Sequence, residues 1–251
     1  MARSIDPAPK AVRGFVPARN DEERYLMRHI EDLARTASSR GIARYSGFLS
    51  DREQQLAQAA LNRTDMPEDE IRFDGGWPGA ERKLLCLEPV DSTPASPLCC
   101  VRLQCRALPG AQLPVHKDYL GSLMGLELRR EALGDIVLPE DQLGVAYVFA
   151  LEPAAELICQ ELRQAGHTDL TAEMQPLETL PAFPQAERPR QTATVSSLRL
   201  DAVLAAMLRC SRGMAAELVT AGRVEINHLP AESVHAPVYE DDVFTVRGKG
   251  R

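Results

Sequence analysis

Apolar positions follow two different periods along this chain, and the period changes where the architecture is expected to change. Over 20–38, NDEERYLMRHIEDLARTAS, Leu26, Ile30 and Leu33 recur at helical spacing on one side. Ser50-Asp51-Arg52-Glu53 then reads as a capping box, the serine capping and the glutamate three residues later reaching back. It opens a second helix, DREQQLAQAALNR, which ends before Asp65 and Pro67. Residues 1–70 are therefore expected to form a small helical unit.

The period next shortens to two. Cys99, Val101, Leu103, Cys105 and Ala107 fall on one face of a strand, with Arg102, Gln104 and Arg106 on the other, until Pro109-Gly110 ends it. Helical spacing returns over 117–130 at Leu120, Leu123, Met124 and Leu128. Segments 135–138 and 144–151 read as strands, Pro153 opens a helix that Gly166 stops, and a last strand is expected within 169–178. The order β-α-β-β-α-β is the split βαβ, or ferredoxin-like, arrangement. The apolar run KLLCL within 71–88 adds a strand or hairpin, so this middle domain is expected over 71–180. Val145, Tyr147 and Phe149 share one strand face, a pattern that suits either a packed core or a platform for stacked bases.

Pro176, Pro181, Pro184 and Pro189 interrupt both periods, and 181–195 is expected to be a stiff linker. The remaining block, 196–251, holds a helix over 198–209 with an apolar stripe at Leu200, Val203, Leu204, Met207 and Leu208. A second helix over 211–221 is capped by Ser211 and closed by Gly222, and strands are expected at 223–227 and 242–247. The fold class is α+β.

Composition removes whole classes of function. Among 251 residues the net charge is −7, so any site for a polyanion must be a local patch. No apolar run approaches the roughly 18 residues of a membrane helix, and MARSIDPAPKAVRGF lacks the apolar centre of a signal peptide. A cytoplasmic protein without a membrane partner is expected. Six cysteines, with no CxxC pair, read as reduced thiols rather than disulfides or zinc ligands. The chain has no GxGxxG, GxxxxGK[ST] or HExxH, so no cofactor, metal or catalytic residue is assigned and the protein is read as a non-enzyme.

The chemistry that remains is cationic. Arg199 and Arg223 flank the C-terminal helix pair, and Arg212 sits in a helix first turn beside free backbone N–H groups. Such a turn attracts anions, and a guanidinium strengthens it for phosphate. These three can converge on one side, with Arg209 at the margin, and the closing VRGKGR adds Arg247 and Lys249. The block 196–251 carries seven Lys+Arg and seven Asp+Glu, so its basic face must be segregated from Glu240-Asp241-Asp242. Elsewhere, RFDGGWPGAERK reads two ways: Trp77, Arg82 and Lys83 contact RNA or ribosomal protein, or the tryptophan plugs a structural turn. At His116-Lys117-Asp118 the aspartate is expected to cap a helix, with His116 or Lys117 touching phosphate or nothing.

The spacing RLDxxLxxMLxxSRxxAxxLVxAGxVxIN resembles the S4-like RNA-binding domain, over about 50 residues. The resemblance implies RNA contact from Arg199, Ser211, Arg212, Arg223 and Asn227. In that light Asp201 resembles the catalytic aspartate of pseudouridine synthases only in its local string, and is read as helix electrostatics. FLSDREQ, RFDGGWPGAERK, HKDYLGSLMGLELRREALGDI and VRGKGR extend the likeness to the YlmH-like proteins, which have a helical N-terminal part, an RRM-like middle and a C-terminal S4-like domain. That resemblance implies a non-catalytic factor, a monomer when free. It would bind structured RNA, rRNA or tRNA, on the large ribosomal subunit, in rescue or quality control of stalled translation. The alternatives weighed are an RNA-modifying enzyme of the pseudouridine-synthase kind and a cell-division adaptor.

Overall fold

The structure, a computed structural model, describes residues 18, 20–106, 112–183, 191–226, 229–238 and 242–248. The chain divides into two compact units, one holding 14–186 and the other 187–251.

In the first unit, α1 (Asp21–Arg40) begins at Asn20, whose side chain accepts the Glu23 N–H, and ends at Gly41 in the left-handed conformation, φ 60°. The capping box of α2 (Asp51–Leu61) is complete: the Glu53 carboxylate accepts the Ser50 N–H at 2.7 Å and Ser50 Oγ accepts the Glu53 N–H at 3.4 Å. Between the helices lies β1 (Arg44–Leu49), a strand inside the stretch expected to form a small helical unit. It pairs antiparallel with β3 (Lys83–Leu87), whose other neighbour is β2 (Ile71–Asp74). One sheet thus takes strands from both sides of residue 70.

The run KLLCL shows no alternation because β3 is covered on both faces. Leu85 and Leu87 pack with Met27, Ile30 and Leu56 of the helices. Leu84 and Cys86 join Phe48 against a second sheet. That sheet is built from β4 (Leu98–Cys105), β5 (Leu133–Val137), β6 (Val145–Leu151), β7 (Gln164–Ala165) and β8 (Thr168–Gln175), in the order β5-β6-β4-β8-β7. Its four longer strands have the ferredoxin-like order. Helices α3 (His116–Met124) and α4 (Glu152–Glu161) cover the far face through Tyr119, Leu123 and Ile158. The first unit is therefore four layers: helices, sheet, sheet, helices.

One expectation changes here, and one open alternative is decided. Helix α4 ends at Glu161, and Gly166 instead turns the chain between β7 and β8 at φ 59°. The aromatic face of β6 is closed: Tyr147 is 4% and Phe149 0% exposed, beneath Phe48, Leu84 and Phe183. The Phe183 ring centroid lies 5.0 Å from that of Tyr147 and 6.3 Å from that of Phe149. These aromatics are core, and bases have no access to them.

The second unit contains α5 (Leu200–Leu208), α6 (Arg212–Thr220) and a small sheet of β10 (Leu229–Pro230), β9 (Val224–Ile226) and β11 (Phe244–Val246), in that order. Leu200, Leu204, Ala215, Val219, Val224 and Val246 form its core. The six cysteines of the chain are free thiols, and burial pushes those of Cys86 and Cys100 up to about 12.

Candidate nucleic-acid interface

The start of α5 is fixed from outside the helix. Residues 234–238 run antiparallel to 198–201: the Leu200 N–H donates to the Ala236 carbonyl at 2.9 Å, Asp201 N–H to Val234 at 3.1 Å, and Val238 N–H to Leu198 at 2.9 Å. The first amides of this helix are therefore satisfied by protein, and they offer nothing to an anion. What this turn presents instead is side chains.

Those side chains meet at Asp201. Its carboxylate is 7% exposed, while the Arg199 and Arg212 side chains beside it are 41% and 50% exposed. Arg199 binds it with two nitrogens, Nε to Oδ1 at 3.1 Å and Nη2 to Oδ2 at 3.2 Å. Arg212 donates Nε and Nη2 to Oδ2, at 3.2 and 2.7 Å. Burial would push this carboxyl up, but the hydrogen bonds and charges of Arg212 and Arg199 outweigh it and hold it at about 2. Two guanidiniums against one carboxylate leave a net positive charge in a neutral domain. Their orientation is set before any ligand arrives, and neither Nη1 has a partner among the described residues. A planar cation with donors to spare is suited to phosphate.

Helix α6 supplies the rest of the turn. Ser211 caps it, its Oγ accepting the Met214 N–H at 3.2 Å. A Cβ placed on Gly213 would meet only Ser211 Oγ, at 3.9 Å, so the first-turn backbone lies open. Arg223 follows this nine-residue helix, which puts it on the order of 14 Å along the axis from Arg212. It pairs with Arg247: the Arg223 Nη2 donates to the Arg247 carbonyl at 2.6 Å, and the Arg247 N–H donates to the Arg223 carbonyl at 3.0 Å. The structure thus gathers Arg199 and Arg212 at one carboxylate and sets Arg223 and Arg247 as a second pair. Arg209 is exposed and closes α5 in the left-handed conformation at φ 51°. Asn227 and Lys249 lie outside the described residues, as do Glu240 and Asp241 of the acidic turn.

In the first unit the expected site residues divide. Trp77 donates Nε1 to Asp135 at 3.2 Å and packs edge-on against Phe183. The same carboxylate accepts the N–H groups of Glu81 and Arg82, at 2.8 and 3.1 Å. The Arg82 guanidinium donates to the carbonyls of Leu133, Phe48 and Arg130 at 2.9, 2.8 and 3.1 Å, and burial pulls its pKa down. Gly76 is at φ +86° with a Cβ position 2.5 Å from Phe149, so the close approach of this loop to the core requires glycine. Trp77 and Arg82 are thus spent on holding the loop to the core. Lys83 opens β3 half-buried, while His116 and Lys117 are exposed in the first turn of α3. Asp118 is not the cap residue itself; it sits in that turn and accepts the Val115 N–H at 2.9 Å.

A family model, the S4 domain, matches residues 198–244. The ribosome-associated protein quality control protein P2 of Bacillus subtilis (strain 168) is 33% identical over 236 residues, spanning 93% of this chain and 88% of that protein. The cell division protein ylmH from Streptococcus pneumoniae has a similar fold, with a TM-score of 0.50 at 13% identity over 67% of this chain and 100% of that one. The chain belongs to the YlmH-like family.

Two residues of this YlmH-like protein escape a reading by pattern. Asp201 looks like ordinary helix charge, and only the fold brings Arg212, 11 positions later, to its carboxylate. His235 lies in the 231–238 loop, with no period to flag it, yet its Nδ1 meets Arg199 Nη2.

Proposed function

We propose that this YlmH-like protein is a non-catalytic RNA-binding factor of the cytoplasm, a monomer when free. It docks on the rRNA or tRNA of large ribosomal subunits and serves the quality control of stalled translation. The observation that carries the reading is the arginine pair on Asp201: two cations held in fixed relation, half exposed, within the segment that matches the S4 domain. The name and the degree of identity of the Bacillus subtilis relative support the ribosomal setting. Non-catalysis is supported by Asp201 itself, whose two oxygens are engaged by four guanidinium donors. Such a carboxylate is poorly placed to attack a base.

The test is sedimentation of a bacterial lysate through sucrose. The wild-type chain should travel with large subunits, and the Arg199→Ala/Arg212→Ala double variant should remain at the top of the gradient. A wild-type protein found only in the unbound fraction would overturn the ribosomal reading. Isomerised uridine in rRNA that appears with the wild type and vanishes with Asp201→Asn would overturn the non-catalytic one.

A further inference from the structure

Resting on that reading, we infer that His235 is part of the same grip: it positions Arg199 and presents its own Nε2–H to the RNA backbone. The contact with Arg199 Nη2 fixes the chemistry of the ring. A guanidinium carries only donors, so Nδ1 must be the acceptor, and in the neutral imidazole the proton then sits on Nε2. His235 is exposed, and Nε2 has no partner among the described residues. A donor of fixed tautomer therefore belongs to the ring that touches the Arg199 guanidinium, whose Nη1 has no partner among the described residues.

The ring's place is built rather than incidental. The His235 N–H donates to Ser233 Oγ at 3.2 Å, and the Ala236 N–H donates to the Ser233 carbonyl at 3.1 Å, so the loop makes a tight turn under the histidine. The residues on either side, Val234 and Ala236, give their carbonyls to the amides of Asp201 and Leu200. The loop is thus tied to the very residues that carry the clamp. Arg199 is held from two directions, by Asp201 through its Nε edge and by His235 at Nη2. The remaining nitrogen, Nη1, belongs to a guanidinium plane that these contacts fix. The grip has three contributors from separate stretches: Arg199, Arg212 and the 233–237 turn.

The test uses full-length protein and purified bacterial large ribosomal subunits. His235→Phe keeps a planar ring without acceptor or donor, and should weaken binding roughly ten- to hundredfold, the worth of one hydrogen bond to a charged partner. His235→Gln keeps one acceptor and one donor and should restore binding to within about twofold. Equal binding by His235→Phe and wild type, with Arg199→Ala still defective, would overturn the inference and leave the grip standing. If Arg199→Ala also binds normally, the underlying reading fails with it. Should His235→Phe misfold, nitrogen-15 spectra of the wild-type imidazole decide the matter. An unprotonated Nδ1 and a protonated Nε2 in the free chain, with an Nε2 shift on RNA binding, are expected. The opposite tautomer, or an unmoved signal, would overturn it.

Discussion

Arg212 Nη2 lies 2.7 Å from Asp201 Oδ2, an ion pair between the first turns of two successive helices. The pair joins α5 to α6 on the face where Arg199 also sits, so the aspartate inside the S4-like helix acts as a fastener for two cations. Its loss has two separable effects, on stability and on binding.

Asp201→Asn should lower the stability of the second unit by about 1.5–3 kcal/mol, the range for hydrogen bonds to charged groups, because the arginines would then face each other without a counter-charge. The pH dependence has a definite sign. Asp201 is held at about 2 in the folded chain against an ordinary 3.8, so its contribution is full above about pH 4 and fades as the pH falls through 2. Melting curves of wild type and variant should be well separated at neutral pH and converge in acid. A gap that stays constant down to pH 2 would mean the carboxylate is not the source.

The salt dependence of RNA binding should be moderate. Arg199, Arg212, Arg223 and Arg247 supply four cations, and Asp201 cancels one, so about three phosphates are neutralised. The slope of log K against log salt should then be roughly −2 to −3, a loss of about thirtyfold over a fourfold rise in salt. Arg212→Gln should reduce the slope by about one. Arg212→Glu, which suits a helix first turn on sequence grounds, is a poor probe here, since it sets a second carboxylate against Asp201. A wild-type slope near zero, measured by filter binding, would remove phosphate contact from the picture.

Gly213→Ala separates fold from function. The residue lies in α6, outside the left-handed region, with open space around its missing Cβ. Alanine should therefore stabilise the helix by about 0.5–1 kcal/mol. RNA affinity should nevertheless fall, because a methyl group would intrude where a backbone phosphate approaches. A variant that gains stability and binds RNA as before would place the phosphate elsewhere.

Asp135→Ala should cost the first unit about 2–4 kcal/mol, because it strips the partner from Trp77 Nε1 and from the Glu81 and Arg82 amides at once. RNA binding by the folded fraction should be unchanged. Urea unfolding followed by Trp77 fluorescence would check both the stability and the environment of the ring.

The legible part of the molecule was what neighbours in sequence decide. The Ser50–Glu53 box, the Ser211 cap and the β-α-β-β-α-β order all rest on local chemistry and period, and the structure shows each of them. Strand β1 was hidden because RYSGFL is six residues with a glycine in the middle, and its partner lies across α2 and β2. The closure of the aromatic face was hidden for a similar reason: Phe48, Leu84 and Phe183 reach Tyr147 and Phe149 from three distant stretches. Within the candidate site, the arginines stood out by spacing, while Asp201 and His235 acquire meaning only through side-chain geometry.

The carbonyls of Val234 and Ala236 that seal the first turn of α5 come from far downstream of it. An interrupted nascent chain that stops short of residue 234 would already carry Arg199, Asp201 and Arg212 in their proper order. It would have nothing to set the turn on which they depend, since a long-range closure comes only after the intervening chain is made. Competence to hold RNA is therefore expected late in synthesis. An incomplete copy, the kind of product a stalled ribosome leaves behind, is expected to hold RNA less well than the full chain.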